Sequence, residues 1–173
     1  MDFISHILIG RALATPYKKN KKNFYSVIFF SALPDLGAFL QYFYLGYINS
    51  RSFFIPLNSD WDGFRQMHPL FSSLWDIPHS IFFAFLIILP LVLFFKLSKM
   101  AFIAYMFHIF IDLFTHLGEW AVKPFYPIQY AFQGFTNAWA WPFLYMALLW
   151  VVIIVAIIFA QILIQKYNKR TIN

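Results

Sequence analysis

The segment from residue 143 to 165 constrains the fold most, because it reads FLYMALLWVVIIVAIIFAQILIQ and carries no charged side chain. A helix needs about 20 mostly apolar residues to cross the hydrocarbon layer of a bilayer. Across the whole chain 61% of the residues are hydrophobic and only 12% are charged, a balance that soluble domains do not reach. The sequence therefore predicts an all-α fold, a polytopic helical bundle in a membrane.

Three further segments have the length and composition of membrane spans, at residues 24–48, 79–95 and 100–118. The first of them contains Pro34, which removes a backbone donor and crowds the preceding turn, so we expect the helix to kink there. Residues 3–15 are apolar but too short to cross alone. The prediction is a single membrane-embedded domain of residues 1–173, with about four transmembrane helices and a short N-terminal helix buried among them.

Basic residues are concentrated in three runs, at residues 18–22, 96–99 and 166–170. With four spans, all three runs fall on the same side of the membrane, which the positive-inside rule identifies as the cytoplasm. The sequence thus predicts a cytoplasmic C-terminus, and the expected location is the inner membrane of a bacterium. The net charge of +6 is then explained by topology and by contact with anionic membrane lipids, and no nucleic-acid partner is expected.

Ionisable side chains share one layer of the predicted bundle. At a rise of ~1.5 Å per residue, six of them lie between about 13 and 25 Å from the predicted cytoplasmic ends of their helices. They are His6, Asp35, His79, His108, Asp112 and His116. A carboxylate at this depth costs several kcal/mol unless it is paired, protonated or hydrated. Imidazole and carboxylate groups together suit a divalent metal, which also offsets the buried negative charge.

Three of these residues, His108, Asp112 and His116, follow one another at intervals of four, which predicts a stripe on one face of a helix with Thr115 beside it. Two interpretations of these residues other than a metal site stay open at this point. They are a path for protons or ions, and a structural network of hydrogen-bonded polar groups. A path would need polar groups reaching both faces of the membrane. The predicted cytoplasmic halves of the spans carry no charged residue or histidine, which favours a closed site.

Four short motifs occur in the order SHILIG, ALPDLG, IPHSIF and HIFIDLFTHLGEWAVKPFYPI. Their order and spacing resemble those of the predicted membrane-bound metal-dependent hydrolases of the YdjM type. The pattern of that family is in turn similar to that of zinc-dependent phospholipases C and related nucleases, all-helical enzymes that bind metal through His and Asp. The resemblance covers a hydrolase-like region at residues 1–128, whereas the last predicted span, 143–165, resembles nothing specific.

The resemblance implies a set of metal ligands. The principal ion, expected to be zinc, would be bound by Asp35, His79, His108 and Asp112. His6 would be a ligand of a second ion shared through Asp112.

The chain departs from the family pattern at three places. Gly37 lies where the pattern often has a second acid, Asp76 to Pro78 replace an Arg-Gly-Thr sequence, and His116 is an addition. It stays open that His116 or Asp76 replaces a missing ligand.

The function that follows is metal-dependent hydrolysis. A zinc-like ion lowers the pKa of its bound water to about 7, and Asp35 or His116, if not a ligand, would act as general base. The depth of the site favours a phosphoester or lipid-linked substrate near the outer headgroup layer. The sequence has no Gly-x-Ser-x-Gly elbow and no Gly-rich phosphate loop. Catalysis by a nucleophilic serine is therefore a weaker hypothesis than metal-dependent hydrolysis. The alternative is a non-enzymatic membrane protein with a buried His/Asp network, for transport or for structure.

Overall fold

The computed structural model describes residues 1–170, and the side chains of all of these except residues 58 and 163–170. Within this range the chain is 73% helical and forms no strand, so the predicted all-α class is confirmed. The α-helices are α1 (Phe3–Leu13), α2 (Lys21–Ala32), α3 (Leu36–Ile48), α4 (Phe64–Met67), α5 (Pro69–Asp76), α6 (Ile81–Phe83), α7 (Leu89–Phe94), α8 (Lys99–Thr115) and α9 (Phe143–Arg170).

Two stretches are long and apolar enough to cross a membrane, Lys21–Ile48 and Phe143–Ile162. A third counts if the bent pair Pro69–Asp76 and Ile81–Phe94 is one span, although its two helices meet at 59°. Helix α8 has 17 residues, at the lower limit for a span. The structure therefore gives two or three candidate spans where the sequence predicts four. The difference arises mainly at α8, which ends three residues before the predicted boundary at 118.

Pro34 interrupts the first long stretch as expected. Helix α2 ends at Ala32, a 3-10 turn covers Leu33–Asp35, and α3 begins at Leu36. The turn holds Asp35 in the middle of the stretch, where its side chain is buried. The proline that breaks the helix therefore also positions a carboxylate inside the bundle.

Basic residues gather at one end of the bundle. At one end Lys22 Nζ donates a hydrogen bond to the Phe95 carbonyl at 2.8 Å, and Asn23 Oδ1 accepts one from the Ser98 amide at 3.0 Å. The first two basic runs of the sequence therefore lie together. The side chains of the third run lie outside the described residues, but Lys18 Nζ donates to Gln161 Oε1 at 3.2 Å, which brings the nearby part of α9 to the same end.

The outer surface of the bundle is rich in large apolar side chains. Examples are Leu86 on the π-helical segment Ala84–Ile88, Phe94 on α7 and Val152 on α9, which are 71%, 78% and 63% exposed. Soluble monomers rarely present contiguous apolar surface of this kind. The surface is compatible with insertion in a membrane.

Helices α3 and α5 pack against each other with almost no space between their backbones. A Cβ atom added at Gly37 would lie 2.1 Å from the Leu74 carbonyl oxygen. Gln41 donates a hydrogen bond to the Phe71 carbonyl, and the Tyr44 ring stacks on the Phe71 ring at 3.7 Å. Position 37, where the family pattern often has a second acid, is therefore a close-packing position that has no room for a carboxylate.

We expect Gly37→Ala to destabilise the protein by about 1–3 kcal/mol, because the added methyl group forces α3 away from the α5 backbone. The measurement is thermal unfolding in detergent, followed by circular dichroism. Leu40→Ala on the same helix is the control, since Leu40 is largely exposed and its truncation should leave the transition nearly unchanged. Equal transitions for Gly37→Ala and the wild type would contradict this packing.

Candidate metal centre

Four buried side chains converge where the sequence predicts a metal site. They are Asp35, His79, His108 and Asp112, and one ligand atom from each lies within 4.8 Å of the other three. Asp35 comes from the turn after Pro34, His79 from the link between α5 and α6, and the other two from successive turns of α8. The prediction that these four residues meet is confirmed, and the group can hold a metal ion. We call them the metal cluster.

Five of the six separations between the ligand atoms are close to those of a tetrahedral coordination shell. His79 Nε2 and His108 Nε2 are 3.2 Å apart, and Asp112 Oδ2 is 3.3 and 3.2 Å from them. Asp35 Oδ1 lies at 3.8 and 3.6 Å from the same two nitrogens. A tetrahedral ion with bonds of about 2.0–2.2 Å separates its ligand atoms by about 3.3–3.6 Å. The observed distances fall around this range.

Backbone carbonyls orient both imidazole rings of the metal cluster. His79 Nδ1 lies 2.8 Å from the Trp75 carbonyl oxygen, and His108 Nδ1 lies 2.7 Å from that of Ser31. A carbonyl oxygen only accepts, so each Nδ1 carries the hydrogen and donates it. In the neutral rings both Nε2 lone pairs then face the cluster. This arrangement, a ligand histidine held through its other nitrogen, is typical of protein metal sites.

The interior of the metal cluster therefore consists of acceptors alone when the histidines are neutral. Asp35 Oδ2 and Asp112 Oδ2 find no hydrogen-bond donor among the described residues. Two carboxylates and two imidazole lone pairs that face one another in a buried space repel unless a positive charge lies between them. A divalent cation supplies that charge, and the N/O donor set fits one.

The second oxygen of Asp112 has different neighbours. His6 Nε2 lies 3.0 Å from Asp112 Oδ1, and the His6 ring stacks on the His108 ring at 3.5 Å. The amino group of Met1 donates to the same oxygen and lies 2.8 Å from both Thr115 Oγ1 and His116 Nε2. His6 is thus beside Asp112 as the resemblance implies, and its role as ligand of a second ion stays a prediction.

His116 does not continue the predicted helical stripe. Helix α8 ends at Thr115, and His116 has an extended backbone with φ −127° and ψ 135°. The helix stops because the segment after Ala131 pairs with its end: the Gly134 amide donates to the His116 carbonyl at 2.9 Å. His116 Nε2 nevertheless lies 3.4 Å from Asp112 Oδ2. The prediction of a helical stripe is wrong at its last member, while the proximity to Asp112 holds.

Asp76 lies in an ion-pair cluster of its own. Both of its oxygens accept from Arg65 Nη2 at 2.6 Å, and Oδ2 also accepts from Lys123 Nζ at 3.1 Å. Asp76 therefore belongs to a separate buried charge group and supplies none of the four converging ligand atoms. Of the two residues considered as replacements for a missing ligand, the structure brings only His116 close to the metal cluster.

Sequence reasoning missed the supporting residue Trp75. Its carbonyl orients His79, and its ring stacks on the His79 ring with centroids 3.8 Å apart. Trp75 also contacts the rings of His116 at 5.1 Å and Trp139 at 5.0 Å. Its place four residues before His79 in the sequence is the one signal that indicates this contact. The contact with Trp139 has no such signal, because it joins distant parts of the chain.

An open groove of about 1360 Å³ lies near the end of α8, where Leu117 is one of its walls. Its walls include Phe3, one turn before His6, and Ala38, one turn after Asp35. Trp139 also lines it, with its ring 4.8 Å from the His116 ring. We call this space the tryptophan groove. Chain neighbours of His6, Asp35 and His116 therefore line the groove, while the four cluster residues do not.

Comparison of the chain with sequence profiles of protein families, with curated proteins and with solved structures finds no match. The resemblance drawn from the four motifs accordingly stays a prediction. The geometry of the metal cluster stands independently of it.

We expect Asp112→Asn to abolish metal retention and His116→Gln to leave most of the metal bound. Asp112 supplies a cluster ligand whose charge offsets that of the ion, and ligand losses exceed the roughly 10–100-fold loss of affinity seen for supporting residues. His116 lies outside the four converging atoms. The measurement is elemental analysis of protein purified in detergent without added metal.

The control for this experiment is His68→Gln. His68 is the remaining histidine, and its Nδ1 lies 3.3 Å from the Tyr44 hydroxyl, away from the cluster. It should retain metal like the wild type. Full retention in Asp112→Asn together with loss in His116→Gln would show that the two roles are reversed.

Proposed function

We propose that this chain is an integral membrane metal-dependent hydrolase that acts on a phosphoester or lipid-linked substrate near the outer headgroup layer. The observation that carries the proposal is the metal cluster, in which two carboxylates face two imidazole lone pairs inside the bundle. The predicted family resemblance points to the same class of enzyme.

The proposed ion is zinc, held by the four residues of the metal cluster. Zinc prefers nitrogen and oxygen ligands in tetrahedral geometry, which agrees with the spacing of these atoms. When bound, such an ion supplies a Lewis acid and a water of lowered pKa. His79 and His108 keep their ligand nitrogens aimed inward through the Trp75 and Ser31 carbonyls. Asp112 presents one oxygen to the cluster and the other to His6.

The proposed general base is His116. Asp35, the other residue considered for this role, falls among the four converging ligand atoms, whereas His116 lies outside them. His116 Nε2 is 3.4 Å from Asp112 Oδ2, and its ring touches Trp139 in the wall of the tryptophan groove. A proton acceptor that contacts both Asp112 and the groove wall would be suited to take a proton from an attacking water.

The proposed setting is a membrane with four spans and a cytoplasmic C-terminus. Helix α8 and the bent pair would complete the count of spans, since α8 is just long enough to cross. The contacts of Lys22 and Asn23 bring two basic runs to one end of the bundle, and the positive-inside rule would put that end in the cytoplasm. The tryptophan groove would then open toward the outer headgroup layer.

A second candidate function is a structural metal site, and the number of ligands favours it. Structural zinc sites are closed by four protein ligands, whereas catalytic sites keep one position for water or substrate. The four residues of the metal cluster are all buried. In this case the ion would stabilise the bundle and the protein would catalyse nothing.

We expect the wild-type protein to hydrolyse bis-(para-nitrophenyl) phosphate and a chelator to abolish the activity. His116→Gln should lower the rate by about 10²–10⁴-fold with most of the metal retained, because loss of a general base costs this much. His68→Gln is the matched histidine control. An inactive, metal-loaded wild type whose unfolding temperature falls on chelation would instead establish the structural site.

The proposed topology predicts that a cysteine at Asn168 is protected from an impermeant thiol reagent in intact cells and becomes reactive after lysis. The chain has no cysteine of its own, so a single introduced thiol gives an unambiguous signal. A cysteine at Asp62, in the predicted outer segment, is the matched control and should react in intact cells. Labelling at Asn168 and protection at Asp62 would invert the orientation and turn the groove toward the cytoplasm.

A further inference from the structure

The loop between α3 and α4 carries large apolar side chains at its tip. Phe53, Phe54 and Ile55 are 88%, 52% and 52% exposed, and no charged side chain lies between Arg51 and Asp60. The proposed topology puts this segment outside the membrane, where these side chains would meet water. A contiguous group of exposed apolar side chains marks an interaction surface.

An ion pair closes the loop at its base. Arg51 donates to both oxygens of Asp60, from Nε at 2.9 Å and from Nη2 at 2.6 Å. Asp60 Oδ2 also accepts from the Leu57 amide at 2.8 Å, and only 6% of the Asp60 side chain is exposed. Two-point pairing of a guanidinium with a carboxylate fixes orientation as well as distance. We call residues 51–60 the closed loop. Its two charged ends neutralise each other.

The backbone at the tip of the closed loop has an unfavourable conformation. Phe53 and Phe54 have φ values of 56° and 57°, in the left-handed region that bulky side chains rarely adopt. The Phe54 amide donates to the Arg51 carbonyl at 3.1 Å, and the Ile55 amide donates to the Ser52 carbonyl at the same distance. The tip is therefore a defined turn. Bulky residues held in such a conformation point to a functional constraint on the tip.

The closed loop turns back along α3 instead of projecting away from it. The Arg51 amide donates to the Gly46 carbonyl at 2.8 Å. A Cβ atom added at Gly46 would lie 2.0 Å from the Phe54 carbonyl oxygen. The Phe54 backbone thus packs directly on the last turn of α3, and only a glycine at position 46 allows this contact.

The exposed apolar face of α3 continues onto the tip. Leu40, Phe43 and Tyr47 are exposed and follow one another at intervals of three and four, which puts them on one face of the helix. The Tyr47 ring lies 6.2 Å from the Phe54 ring. This face belongs to the candidate span Lys21–Ile48 and would face lipid in a membrane. The tip extends the same apolar surface, so it would have the same surroundings.

We propose that the closed loop is a membrane anchor, whose tip enters the headgroup layer and the adjoining acyl chains of the outer leaflet. Apolar side chains gain free energy when they leave water for this layer. A protein partner would need a larger surface. Two aromatic rings of about 150–250 Å² each and one isoleucine cover less than the roughly 800 Å² per partner of a standard protein interface.

This inference rests on the proposed membrane setting and is independent of hydrolysis. Spin labels on single introduced cysteines test it, because the chain has no cysteine of its own. The variants are Phe53→Cys at the tip, Val152→Cys on the exposed face of α9, and Asp62→Cys in the predicted outer segment. Each is reconstituted in nanodiscs of phosphatidylethanolamine and phosphatidylglycerol. Power saturation then measures the access of oxygen, which concentrates in lipid, and of a neutral nickel chelate, which stays in water.

We expect oxygen access to exceed nickel access at residues 53 and 152, and the order to be reversed at residue 62. A label at residue 53 with the nickel access of residue 62 would put the tip in water and overturn the anchor. A label shielded from both agents and broadened by a second label would put the tip between two copies of the chain, which also overturns it. Water exposure at residue 152 would reject the membrane setting itself, whereas lipid exposure at 152 with water exposure at 53 would reject the anchor alone.

The role of the ion pair is tested with the label kept at residue 53. Asp60→Asn leaves one acceptor oxygen for three donors that now share two, so the loop should open. The ratio of oxygen access to nickel access at residue 53 should then fall toward the ratio at residue 62. Asp62→Asn removes the same charge from an exposed carboxylate two residues away and should leave the ratio at residue 53 unchanged. An unchanged ratio in Asp60→Asn would reject the ion pair as the support of the anchor.

Discussion

The carboxylate of Asp112 is the group on which the rest of this structure depends. It lies in the interior, where an unpaired charge is expensive, and one of its oxygens faces three imidazole nitrogens at 3.2–3.4 Å. Carbonyl groups hold the rings of His79 and His108 so that their lone pairs point at this oxygen. The Met1 amino group and His6 contact the other oxygen of Asp112, and a cation in the metal cluster would offset the negative charge that faces the neutral rings. Because its ligands come from the turn at Asp35, the α5–α6 link and α8, that cation would cross-link the bundle, so metal binding and folding would be coupled.

Basic and acidic side chains lie in different parts of the molecule. Lysines gather at the end where Lys22 meets Phe95, and unpaired carboxylates gather in the tryptophan groove beside the N-terminal end of α9. A divalent ion in the metal cluster would neutralise Asp35 and Asp112 and leave the charge of the groove unchanged.

Much of the metal cluster could be predicted because its signals are local. Pro34 indicates the break that places Asp35, and the spacing of His108 and Asp112 puts both on one face of a helix whatever the surroundings. The predictions that failed depend on contacts between residues that are far apart in the sequence. The end of α8 before His116 depends on pairing with a segment about 18 residues later. Asp76 forms ion pairs with Arg65 and Lys123, which are distant in the sequence. Sequence periodicity does not indicate such contacts. It also does not indicate the groove, because the groove is formed by loops that are far apart in the sequence.

Helix α9 contributes to this architecture differently from the other helices. None of the four ligand atoms comes from it, and most of its described side chains face outward. Its side-chain hydrogen bonds to the rest of the bundle, in the part the structure describes, run from Trp150 to Asp2 and Ser5 and from Lys18 to Gln161. Along most of its length, exchange of one apolar residue for another leaves every polar contact intact. This helix is therefore free to diverge in sequence during evolution, while substitutions in α8 are constrained position by position.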